Sequence, residues 1–185
     1  MLPLLLFLHV LAVCGLAGGL TLEIAALIRL HMSATYADAR TALFNEGAIG
    51  KLMGPSALLL IATGVGMVYT GGIGWAPWNV VPLIIALLLS VTGPAINGRR
   101  MHAIQAACAE NDGRFNAALL SSLRDPVLNY SAFFAVFGVI AMLFIMVTKP
   151  ELPICATAVA LALVAAGAAA AVRLNASKQA ANARA

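Results

Sequence analysis

Over most of this chain the apolar positions neither alternate nor recur every third or fourth residue. They run on without a break. Leu2 to Leu22 carries no charge and is closed by Glu23. Apolar residues resume beyond that acid, so the first element is read over about 2–28. Leu52 to Gly98 is also uncharged, but a hydrocarbon core about 30 Å thick needs only about 20 helical residues. Its middle, Thr70 to Trp78, is rich in Gly and Pro and predicts a turn. The run therefore divides into spans at about 53–71 and 78–97. Two more follow, at about 127–148 and 152–172. The pattern predicts an all-α, polytopic transmembrane bundle of five helices. A β-barrel is excluded, because its strands alternate apolar and polar residues.

Charge adds an orientation. With five crossings the termini lie on opposite sides. Every Lys and Arg except Lys149 then falls on one side, among them Arg29, Arg40, Lys51, Arg99, Arg100 and Arg173, with Lys178 and Arg184 in the tail. By the positive-inside rule that side is cytoplasmic, which puts the N-terminus outside and the C-terminus inside. Trp75 and Trp78 fall in the short outer turn, where interfacial aromatics belong. The first span has no basic segment ahead of it and exceeds a usual signal-peptide core, so it is expected to stay as an anchor.

Composition agrees. Of 185 residues, 62% are hydrophobic and 10% charged, against about 45–50% and 25% in soluble domains. Mean hydropathy is +0.97. A disordered chain, a disulfide scaffold and an ordinary soluble enzyme are thereby excluded. The pI of about 9.3 follows from the topology. No nucleic-acid motif accompanies it, so no nucleic-acid partner is expected.

Residues 1–173 form one domain. Residues 31–51 are read as a cytoplasmic loop, with Ser33, Thr35 and Asp38 as possible caps. In 98–126, Met101, Ile104 and Cys108 recur at helical spacing, as do Phe115, Leu119 and Leu123. Asn111-Asp112-Gly113 is a turn signal. The third and fourth helices are therefore expected to project into the cytoplasm as a hairpin, kinked at Gly93-Pro94 and at Pro126. The segment 174–185 is read as a polar, frayed tail.

No Walker loop, dinucleotide fingerprint, Cys-x-x-Cys or His-Glu-x-x-His is present. Three groups carry candidate chemistry. His9, in the outer half of the first helix, offers an imidazole that can ligate haem iron or copper. Met67, Met142 and Met146 lie at similar depth, so His9, Met142 and Met146 form a candidate soft-metal set. The bland reading of His9 is an interfacial polar residue bonded to Tyr69 or Thr70. Glu23 is an acid inside a span, which is costly and tends to face protein or water. Its candidate partners are Arg29, Lys51, Asn97, Arg99, Asn129 and Tyr130. Gly15, Gly18 and Gly19 beside it suggest close helix packing. Arg99, Arg100 and His102 could hold an anionic substrate or lipid headgroup, although orientation alone accounts for such a cluster.

Leu8-His9-Val10-Leu11-Ala12 with Gly15 and Gly18-Gly19, Pro55 to Gly64 with its Thr63-Gly64 ending, and Met146-Val-Thr-Lys-Pro150 resemble a bacterial integral-membrane family, domain of unknown function 2269. The resemblance covers about residues 1–150 and implies a multi-pass protein of the bacterial inner membrane. The helices are also distantly similar to copper-resistance D-type proteins and to the bacterial membrane protoporphyrinogen oxidase. The latter implies a functional first-helix His, which His9 matches, and a Lys within a later helix, which is absent here. Lys51 and Lys149 are both terminal. The functional expectation is an accessory or binding subunit, with membrane lipid and a second copy or partner subunit as contacts. The alternatives are a haem- or copper-associated redox protein using His9, and a small transporter with Glu23 in its site.

Overall fold

A computed structural model describes residues 1–44 and 46–182, with side chains at all of these except 46, 117 and 177–182. The chain is 87% helix. No strand forms among the described residues, and Thr35 and Arg114 make one isolated antiparallel bridge. In order come α1 (Leu2–Met32), α2 (Tyr36–Ala42), α3 (Glu46–Thr70), α4 (Pro77–Thr92), a π-helical turn (Gly93–Gly98), α5 (Arg99–Glu110), α6 (Ala117–Leu123), α7 (Pro126–Thr148) and α8 (Leu152–Asn182). Five helical stretches are long and apolar enough to cross a membrane.

Local chemistry sets the breaks. Pro3 sits in the first turn of α1, where its missing N–H costs nothing. Arg29 and His31 close α1 against the negative end of its dipole. At 1.5 Å per residue, its 31 residues reach about 46 Å, so one end projects beyond a 30 Å hydrocarbon layer. Gly72 and Gly74 take φ of 61° and 73° in the turn before α4. Lys149 takes the left-handed position after α7, its N–H returning to the Ile145 carbonyl at 2.9 Å.

The bundle has two ends, distinguished by their side chains. At the tryptophan end, Tyr69 meets Trp75 edge-on at 6.0 Å, and the Lys149 ammonium lies 5.0 Å from the Trp78 ring centre. At the basic end the chain builds a second core. Leu30, Tyr36, Leu43, Met101, Cys108 and Leu128 are buried there together. Arg40 secures it. Its guanidinium donates to the carbonyls of Cys108 and Asn111 (both 2.6 Å) and to Asp112 (2.5 Å), closing the end of α5. The main core lies between α1, α3, α4 and α7 and includes Leu16, Leu20, Leu60, Ile85 and Val139.

Three expectations need correction. Residues 31–51 hold α2 and the start of α3, because Thr35 caps α2 by accepting from the Asp38 N–H at 3.2 Å and Tyr36 and Ala39 are buried. Pro126 does not kink a helix; it starts α7, with Asp125 as its cap. Residues 174–182 continue α8 as helix. Residues 183–185, with Arg184, and the Lys178 side chain lie outside the described residues.

Candidate functional site

Glu23 faces a large cavity in the bundle. Helices α1 and α3 run antiparallel. His9 meets Thr63 and Gly64, Gly15 meets Ser56, and Gly19 meets Met53. Continuing that register puts Glu23 level with Ile49, at the basic end. Across the cavity stands the π-turn. Pro94 has no N–H to give, and the Arg99 N–H reaches back five residues to the Pro94 carbonyl. The widened turn holds Asn97 inward, where it is 5% exposed.

A relay of polar side chains results. The Ser131 hydroxyl on α7 donates to Asn97 Oδ1. Asn97 Nδ2 donates to Glu23 Oε1 at 3.2 Å. Three segments distant in sequence are joined through one amide. No Lys or Arg among the described residues reaches ion-pairing distance of Glu23. Of its six expected partners, only Asn97 makes the contact. Asn129 is spent on the carbonyls of Leu123 and Asp125, and Tyr130 stacks on Phe134.

The cavity holds about 950 Å³, at the large end of small-molecule sites. Its polar end carries Glu23, Lys51, Asn97, Arg99, His102 and Ser131. Toward the middle of the bundle its walls turn apolar, with Leu16, Leu20, Ala57, Leu60 and Val139. The basic pair is divided. Arg99 faces the cavity, whereas Arg100 Nε donates to Asp125 Oδ2 at 2.7 Å.

His9 faces a second cavity of about 460 Å³ at the tryptophan end. Met67, Met142, Met146, Trp75 and Trp78 share its walls. Its partner is Thr63 at 3.0 Å; Tyr69 and Thr70, expected from the sequence, do not bond it. The Thr63 hydroxyl already donates to the Leu59 carbonyl at 2.6 Å. A neutral His9 ring must therefore donate from Nδ1. Its Nε2 then carries the lone pair, and the ring also lies in hydrogen-bonding reach of the Leu60 carbonyl. Fixing the second nitrogen in this way is how a ligating imidazole is oriented. Leu16, Leu60, Ala86 and Val139 line both cavities and separate them.

No family model, curated protein or solved structure matches the chain.

The remaining candidates are accounted for locally. Both His31 ring nitrogens lie against carbonyls, those of Leu27 (2.8 Å) and Leu123 (3.0 Å). His31 therefore braces α1 against α6. Among the described residues no cluster of three His, Cys, Asp or Glu could hold a metal ion. A His/Met set falls outside that chemistry. Ser131 and Thr63 were missed from the sequence. Thr63 had a signal: in an antiparallel pair aligned by Gly19 and Met53, position 63 falls opposite His9.

Proposed function

We propose that this chain is a multi-pass protein of the bacterial inner membrane, N-terminus outside and C-terminus cytoplasmic, that binds a small ligand in the Glu23 cavity. It would serve as a binding or accessory subunit, or as a small transporter that uses the same site. The observation that carries the reading is Glu23 itself. It is an acid within a span, held by one neutral amide, facing a cavity, with no cation among the described residues paired to it. Such a carboxylate favours a proton or a cationic ligand group, because an unpaired charge away from bulk water is costly. The asymmetry of Lys and Arg supports the orientation, and the bacterial setting rests on the resemblance of residues 1–150 to domain of unknown function 2269. Membrane lipid, and a second copy or partner subunit, remain the proposed contacts.

The test is a thermal shift on the detergent-purified chain with decylammonium. The wild type should rise in Tm with ligand, and Glu23→Gln should not. Equal shifts for both would overturn the reading. A reporter fused to the C-terminus should report from the cytoplasm; a periplasmic signal would overturn the orientation.

A second reading has its own observation. A neutral His9 ring that donates from Nδ1 carries its lone pair on Nε2, in a cavity walled by Met67, Met142 and Met146. Soft thioethers with imidazole suit Cu(I), and His/Met pairs ligate haem. An absorption spectrum and metal analysis of protein expressed with haem and copper supplied would show a Soret band or stoichiometric copper, lost in His9→Ala. A clean, metal-free sample would end this reading.

A further inference from the structure

The larger cavity is open along one side, and glycine makes one lip of the opening. Gly47, Gly50 and Gly54 of α3 line it, each exposed, as does Gly93 of the π-turn. A Cβ built at any of these four would meet nothing within 4 Å. Packing therefore does not explain them, in contrast to Gly15 and Gly19. Glycine in a helix interior costs about 0.5–1 kcal/mol relative to alanine. Four such positions on one opening keep a slot clear between α3 and the strand of chain through α4, the π-turn and α5. Leu58 on one lip and Pro94 on the other are both exposed, so the slot faces sideways out of the bundle.

Charge at the polar end is of both signs and is unspent. Lys51 and Arg99 stand at the mouth and form no ion pair among the described residues. Glu23 lies at the same level, further in. Acid and base face one space without touching one another. A ligand with a single charge would satisfy one and be repelled by the other. A ligand carrying both an ammonium and an anion would satisfy both. Beyond that level the walls are apolar and suit a hydrocarbon tail.

We propose that the cavity takes a single-chain amphiphile with a zwitterionic head, entering sideways from the membrane through the glycine slot. Its ammonium meets Glu23, its anionic group meets Lys51 and Arg99, and its tail lies along Leu16, Leu20 and Leu60. The inference rests on the Glu23 reading and adds the ligand class and the route.

The test measures binding of lysophosphatidylethanolamine and lysophosphatidylglycerol, matched in chain length, to the full chain in a nonionic detergent. The first head carries both charges, the second only the anion. The wild type should bind the zwitterion at least tenfold more tightly. Glu23→Gln should erase that preference while keeping the weaker binding common to both. Gly54→Leu should abolish binding of both, with its Tm held, since a Cβ there meets nothing within 4 Å and the side chain extends into the slot. Equal affinity of the wild type for the two heads overturns the proposal, as does full binding by Gly54→Leu. If either occurs while decylammonium still needs Glu23, the amphiphile and its route fail and the Glu23 site stands. If decylammonium is also indifferent to Glu23, both fail.

Discussion

Helix α3 has glycine or its neighbours on two faces, and the faces behave in opposite ways. On one, it meets Gly15 and Gly19 of α1. A Cβ at either would overlap Ser56 Oγ or Met53 Cγ, so these glycines bring two backbones together. On the other, Gly47, Gly50 and Gly54 touch nothing and border a hollow. The same residue type marks a seam in one place and an opening in the other. Small residues at helical spacing thus carry no meaning until the facing element is known. Gly18 makes the point within α1, since it lies beside Gly19 and a Cβ there would meet nothing.

Four substitutions separate seam from slot, and each is read as a change in Tm in one detergent. Gly19→Val forces α1 off Met53 and should cost about 3 kcal/mol; a change under 0.5 kcal/mol would mean that the seam is loose. Asn97→Ala removes the amide between Ser131 and Glu23. It should cost about 2 kcal/mol, because the buried Asn97 side chain is emptied and Glu23 loses its amide donor, while the Ser131 hydroxyl keeps the Leu128 carbonyl. An unchanged Tm would show that water replaces the amide and that the slot is wet to that depth. Arg40→Ala lies outside both regions and removes the guanidinium from the end of α5. A loss of about 1.5 kcal/mol is expected, with binding at the Glu23 cavity unchanged. Altered binding would tie the second core to the slot. Gly50→Ala should raise stability by about 0.5 kcal/mol, since helix propensity improves and nothing is displaced. Destabilisation there would make the slot a packed surface after all.

The five long apolar helices were legible because hydrocarbon thickness sets their length and exclusion of charge sets their ends. The turn at 71–76 was legible because Gly72 and Gly74 occupy positions that only glycine takes easily. The second core was half legible. Met101, Ile104 and Cys108 showed an apolar face, but α2, which covers it, is a seven-residue helix hidden in a stretch read as loop. The π-turn left no mark in the hydrophobic pattern. One extra residue in a turn alters the phase of a helix without altering its composition, so the inward aim of Asn97 could not be read. Asn97 did appear among six possible partners of Glu23. Choosing it required knowing which helices lie side by side, and residue types do not encode that. The polar tail misled because polarity was taken as fraying, whereas α8 continues through Asn182.

The layer formed by Leu16, Leu60, Ala86 and Val139 has an electrical consequence. A membrane potential falls across whatever does not conduct, and a water-filled hollow carries little of the drop. Were water to fill both cavities up to this layer, its side chains would be the thinnest insulator between them, and the field would concentrate there. Carrying one elementary charge across it is worth about 2.3 kcal/mol per 100 mV. His9 and Glu23, fourteen residues apart on one helix, stand on opposite sides of that step. In that hydrated state a charge bound at one site would be held at a voltage that the other does not share.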